Sequence, residues 1–243
     1  MNLWGITDVG AVRSDNQDYY QIEWLSEDVV LAVVCDGMGG ANAGNIASRV
    51  AGDCFVASVR ADTVHGQPQG GQQWPQILER AAAAANGTVY AMSVANFEMR
   101  GMGTTLVAAL ITAAHIWVVN IGDSRCYAIE SGSITQVSRD HSLVEALVVR
   151  GEITPAQARR HPKKNLITRS VGVDETVMAD IFERPNMGGC LLLCSDGLSN
   201  ALTDEQLCAA VMAEEKESCC RRLLDAALAA GATDNVTVIL AQL

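Results

Sequence analysis

Four aspartates in this sequence stand where an apolar run gives way to a turn. Asp36 closes "VVLAVVCDGMGG" (29–40) and Asp196 closes "CLLLCSDGLSN" (190–200), each with a glycine directly behind it. Asp123 in "NIGDSRCY" and Asp234 in "GATDNVTVIL" also mark strand boundaries. A carboxylate delivered to a solvent-poor place is unfavourable unless a positive charge meets it, and four that converge could not all stay ionised unpaired. Divalent cations resolve that conflict. Oxygen ligands select Mg2+ or Mn2+, whereas the four scattered histidines, none paired at i and i+4, offer zinc no cage. A glycine after the aspartate lets its backbone carbonyl approach an ion closely. One Asp-Gly alone is an ordinary turn, and "TDN" (233–235) fits an Asx turn equally well; the joint pattern is what points to metal. Close to the N-terminus, "TDVGAVRSDNQD" (7–18) adds Arg13, Asn16 and Asp18. A guanidinium forks onto a phosphate, which an ammonium cannot do.

The elements that must position these residues fall into blocks. Residues 3–9 and 29–35 read as strands, the second a continuous apolar run of the kind covered on both faces. Ile46, Val50, Cys54 and Val59 recur at helical spacing after the glycine turn, and so do Ile77, Ala81, Ala85, Val89 and Met92 in an Ala-rich stretch from Pro75 to Glu98. Pro75 suits a first helical turn. "TTLVAALITAA", "HIWVVNIG", "SRCYAIE" and "SITQVS" are short, β-branched and separated by turn residues, as in a meander. From 142 to 170 the pattern is helix-like but irregular. Thr203 and Gln206 form a capping box for a helix to about Ala213, a second covers 217–230, and "NVTVILAQL" closes as a strand. Two strand groups, each with its own helix pair, make an α+β domain, expected to be one domain over 1–243.

Composition narrows the class. A formal net charge of -11, with only 17 Lys and Arg, argues against nucleic acid as a partner. "MNLWGITDVG" lacks the basic start and apolar core of a secretory leader. "LVAALITAAHIWVVNIG" (106–122) is interrupted by Thr112, His115 and Asn120, so two adjoining strands explain it and a membrane span does not. The eight cysteines include no C-x-x-C pair and sit in apolar strand or helix patterns. They read as reduced, buried hydrophobes, which with the rest implies a cytoplasmic protein, expected as a monomer.

The ordered series "GAVRSDNQD", "VVCDGMGG", "GMGTTLVAAL", "NIGDSRCY", "RDHSLV", "LLLCSDGL" and "TDNVTVIL" resembles the metal-dependent serine/threonine phosphatases of the PPM (PP2C) family in their compact bacterial form. The resemblance runs through nearly the whole chain. It implies a four-layer αββα sandwich, two antiparallel sheets flanked by helix pairs, with two Mn2+ or Mg2+ ions at one end. Asp36 would bridge the ions, the Gly37 carbonyl would join one of them, and Asp196 and Asp234 would complete the other. Asp18 would support the site through waters, Arg13 would hold the substrate phosphate, and Asp123 with Asp196 matches a third metal position. Phosphoserine and phosphothreonine proteins would be the substrates, with a bacterial Ser/Thr kinase as the opposing partner and regulators of type VI secretion among the settings expected.

The sequence departs from that family in one place. Relatives continue the glycine turn with a histidine and a glutamate four residues on, where this chain has Ala41 and Asn45. The missing histidine is a general acid of the kind that contributes about 10²–10⁴-fold. His141 either substitutes for it or ties a loop. Loss of the acid is the sole support for an alternative, a pseudophosphatase that binds phosphoproteins without turnover. The stretch 150–169 carries six of the 17 basic residues against one acid, at the position of the family's variable flap. It reads either as an ordinary solvated segment or as a recruiter of acidic phosphorylated segments.

Overall fold

A computed structural model describes residues 1–39, 43–63, 73–213 and 215–243. Ala41, where the family's histidine is missing, lies outside the described residues. Two antiparallel sheets face each other. In one the strand order is β1 (Asn2–Asp8), β11 (Val236–Gln242), β10 (Cys190–Cys194), β7 (Arg125–Glu130), β8 (Ser133–Gln136). The other runs β2 (Asp18–Trp24), β3 (Val30–Met38), β5 (Leu106–Ile111), β6 (His115–Ile121), β9 (Asp180–Pro185), with the two-residue β4 (Gly103–Thr104) on the end of β3. Alternating side chains of both sheets, among them Val30, Val34, Val107, Val118, Leu191 and Ile239, fill the space between them.

The outer faces are covered by helices. Phe55, Leu78 and Ala85 of α1 (Ala43–Thr63) and α2 (Trp74–Ala95) pack on Leu31, Val33, Leu110 and Trp117. On the far side α5 (Asp196–Ala201), α6 (Asp204–Met212) and α7 (Cys219–Ala229) bury Leu198, Leu207 and Leu223 against Leu192, Val238 and Leu240. The α+β sandwich of two antiparallel sheets with helices is therefore as expected. Pro75 sits in the first turn of α2, and the Thr203–Gln206 capping box starts α6. The meander is not: β5 and β6 pair in one sheet, β7 and β8 in the other, and the chain crosses between sheets at Gly122–Ser124. α3 (Leu143–Val149) and α4 (Pro155–Ala158) resolve the irregular stretch as two short helices. All eight cysteines are free thiols, and seven are buried. No helix among the described residues is long and apolar enough to cross a membrane.

Candidate metal centre

Strand register brings the first two aspartates together. In the β2–β3 ladder Asp18 lies directly across from Asp36. Asp196 is the first residue of α5, two residues beyond β10, and Asp234 lies two residues before β11, the neighbour of β10. Asp123 follows β6 in the crossover to β7. All five thus collect at one end of the sandwich, within electrostatic reach of one another: Asp18, Asp196, Asp123 and Asp234 all act on Asp36.

The glycines behind two of them also have a steric reason, besides the one expected. A Cβ on Gly37 would stand 2.1 Å from the carbonyl oxygen of Gly44 and 2.6 Å from that of Gln17. On Gly197 it would stand 2.0 Å from the carbonyl oxygen of Asn235. Real side chains do not tolerate such approaches, so Gly197 is what lets the Asp234 strand start pass close beside the Asp196 helix start. The resemblance assigned a carbonyl ligand only to Gly37.

Burial, then mutual repulsion, dominates the electrostatics. It pushes Asp36 well above the usual carboxylate range, with Asp18 the largest charged contributor. Burial raises Asp18 to about 7 although hydrogen bonds from Thr237 and Ser195 oppose it, and raises Asp123 to about 8 with help from Asp196. Asp196 rises to about 6, through burial and then Asp234, while Lys164 and a hydrogen bond to Asp36 restrain it. Asp18 Oδ2 accepts the Ser195 hydroxyl at 2.7 Å, but its Oδ1 is buried with no partner. A cluster of oxygen ligands that repel one another, one with an orphaned oxygen, is the donor set that hard divalent cations satisfy. Among the described residues no three Asp, Glu, His or Cys side chains form a closed cage as they stand; the convergence is electrostatic.

Arg13 is exposed, and its Nη2 donates to Asp234 Oδ2 at 2.8 Å. The loop that carries it is fastened by Asn235, whose side chain donates to the carbonyls of Val9 (2.8 Å) and Asp15 (3.0 Å) and accepts Gln17 N–H (2.9 Å). His141 is a loop tie. Its Nδ1 accepts Gly122 N–H at 3.1 Å and its Nε2 meets Asp180 at 3.2 Å and Arg169 at 3.1 Å, so both nitrogens are engaged. Burial lowers its pKa.

The basic stretch is less free than its composition suggested. Arg150 pairs with Glu152, Arg169 with Asp180, and Arg159 donates to the carbonyls of Ser199 and Leu202 at the end of α5. Lys164 reaches Asn200 at 3.4 Å, and Asn200 in turn donates to Asp196 Oδ2 at 3.0 Å. A cleft of about 430 Å³ opens between this stretch and α5, with Asp123, Asp196, Glu145, Arg159 and Lys164 in its walls. Arg160 and Lys163 alone of the six are exposed with no side-chain partner among the described residues. If the stretch is the recruiter of acidic phosphorylated segments that the sequence allows, Arg160→Ala with Lys163→Ala is expected to raise KM for an acidic phosphopeptide by roughly two- to ten-fold, leaving KM for p-nitrophenyl phosphate unchanged. Equal losses on both substrates would contradict the assignment.

Several contributors were not singled out in the sequence: Ser195, Thr237, Asn200, Asn235 and Thr105, each beside or close to a motif aspartate or turn. The signal was present in "SD", "TDN" and "GTT" as hydroxyl or amide neighbours.

Comparison with known proteins yields a consistent set. The family model described as protein phosphatase 2C matches residues 11–230. The serine/threonine protein phosphatase PstP of Mycobacterium tuberculosis is 35% identical over 235 residues, 97% of this chain but 43% of that protein, so the chain spans less than half its length. The crystal structure of serine/threonine phosphatase Stp1 from Staphylococcus aureus superposes with a TM-score of 0.91 at 35% identity, covering 99% of this chain and 94% of that one. The catalytic domain of PstP in complex with two manganese ions gives a TM-score of 0.85 at 34% identity, covering 99% and 97%.

Proposed function

Because the chain belongs to the protein phosphatase 2C family, we propose that it is a Mn2+- or Mg2+-dependent protein phosphatase that releases phosphate from phosphoserine and phosphothreonine, with residues 1–243 acting as one catalytic domain. The observation that carries the reading is the meeting of Asp18, Asp36, Asp123, Asp196 and Asp234 at one end of the sandwich with carboxylates mutually repelled. The manganese in the structure of a relative's catalytic domain supports the choice of ion.

Asp36, Asp196, Asp234 and the Gly37 carbonyl would hold two ions, Asp18 would order waters around them, and Asp123 with Asp196 would hold a third more weakly. Ions so held supply Lewis acidity, making a water nucleophilic near neutral pH and neutralising charge on the phosphate. The chain's own part is positional. Asp18, anchored by Ser195 through one oxygen, keeps its other, buried oxygen free of any hydrogen-bond partner. Arg13 uses one of its five N–H donors on Asp234, which leaves others to fork onto a phosphate. His141, with both ring nitrogens occupied, does not serve as proton donor to the leaving alkoxide. The opposing partner is a serine/threonine kinase, since such an enzyme makes the substrate. Eight unpaired thiols suit a cytoplasmic setting.

Phosphate release from a phosphothreonine peptide is expected with Mn2+, to stop in excess EDTA and to resume when Mn2+ is restored. Tight binding of the peptide with no release would instead favour the regulator without turnover that Ala41 raised. Full activity in EDTA would remove the metal from the account.

A further inference from the structure

Between Asp36 and Asp123 lies a buried chain of hydroxyls that the proposed chemistry does not use. Thr105 is 2% exposed and Ser124 fully buried. Thr105 Oγ1 accepts the N–H of Asp36 at 2.9 Å and stands 2.7 Å from Ser124 Oγ. The carbonyl of Asp36 is also held, by Thr105 N–H at 2.9 Å and by the Thr104 hydroxyl at 2.8 Å.

The strand register makes this arrangement informative. β3 pairs with β5 up to Val34↔Val107 and with β4 from Gly37↔Thr104, the same register on either side of Asp36. An uninterrupted antiparallel ladder would give the Asp36 N–H the carbonyl of Thr105. Here the Thr105 hydroxyl takes that bond, and the Thr105 carbonyl is left to share, at 2.9 Å, the single Thr104 hydroxyl proton with the Asp36 carbonyl. The substitution turns the Thr105 side chain toward the crossover that carries Asp123. That crossover closes on it: Gly122 has φ +109, and a Cβ there would stand 2.6 Å from Thr105 Cγ2.

We infer that the Thr105–Ser124 hydroxyl pair fixes the spacing between Asp36 and Asp123, making both hydroxyl residues positioning residues that couple the shared ion site to the outlying one. The inference rests on the metal assignment proposed above. Both hydroxyls are sealed from water, so removing one strands the other without a replacement partner, and the turn holding Asp123 then loses its link to Asp36.

Mn2+ titration calorimetry on the full chain, with thermal unfolding in EDTA and kcat and KM for p-nitrophenyl phosphate, tests this. Ser124→Ala breaks the pair but keeps the Asp36–Thr105 bond, so the weaker class of ion should lose about ten-fold in affinity while the tight class stays within about three-fold. In the same variant kcat should fall several-fold with KM unchanged. Thr105→Val, which keeps the shape and loses the hydroxyl, should weaken both classes, and Thr105→Ser should match the parent. Adding Ser124→Ala to Asp123→Asn should lower kcat no further than Asp123→Asn alone. If Ser124→Ala lowers only the melting temperature and leaves both ion classes as in the parent, the pair is structural and the inference is overturned. Asp123→Asn retaining the weaker class would contradict the metal assignment itself, a separate failure.

Discussion

Asp36→Asn should hydrolyse a phosphothreonine peptide roughly a thousand-fold more slowly than the parent and, after chelation, should melt at a higher temperature. The two effects have one origin. The Asp36 carboxylate is half-buried but poorly solvated and feels Asp18, Asp196, Asp123 and Asp234, so in the stripped protein its pKa stands well above the carboxylate range. Folding then requires either a proton or an unfavourable charge, and the neutral isostere needs neither. A gain of about 1 kcal/mol would move the midpoint of a chain this size by roughly 2–4 °C. Adding Mn2+ should invert the ranking, because only the parent keeps the shared ligand. Scanning calorimetry of both proteins at pH 7.5, with EDTA and with Mn2+, measures the melting shifts, and phosphate release from the peptide measures the rate. A variant that melts lower than the parent in EDTA would mean that the Asp36 carboxylate is stabilising, and the repulsion argument would fail.

The second large effect is an unusual pH dependence. Paired surface carboxylates normally have depressed pKa values and lose stability on acidification, whereas Asp18 at about 7, Asp123 at about 8 and Asp196 at about 6 are raised. Between the unfolded carboxylate value near 4 and these figures the folded chain holds protons that the unfolded chain has released. Their contribution is therefore most favourable below about pH 4 and is lost as pH climbs to about 8. The EDTA-treated protein should melt several degrees lower at pH 8.0 than at pH 5.5. Saturating Mn2+ should reverse the slope, since ions displace the protons and bind more tightly as pH rises. Identical slopes with and without metal would separate the carboxylates from ion binding.

Strand ends were legible because Asp36 and Asp196 terminate long apolar runs, and the buried strands β3, β5, β6 and β10 carry strong hydrophobic signals. β2, "DYYQIEW", and β9, "DIFERP", were not read as strands. Both lie at the edges of their sheet and are half-exposed, so neither shows a sustained apolar pattern. The split of the expected meander between two sheets was equally hidden, because alternation reports that a strand has a buried face and not which sheet it joins. At the site, residue types gave the candidate ligands, while register and close approach give their meeting. Asp18 acquires its place only through pairing opposite Asp36, and Gly197 its purpose only once the Asn235 carbonyl is seen against it. Composition overstated the basic stretch for the same reason, since nothing in "AQARRHPKK" says that Arg159 closes the end of α5.

Crystals grown with Mn2+ and measured at the manganese absorption edge decide whether these carboxylates hold metal. Two strong anomalous peaks sharing Asp36 are expected, one of them also on Asp196 and Asp234, with a weaker third beside Asp123. Anomalous peaks absent from the Asp36–Asp196–Asp234 cluster in crystals of a protein that hydrolyses phosphothreonine peptides would contradict it.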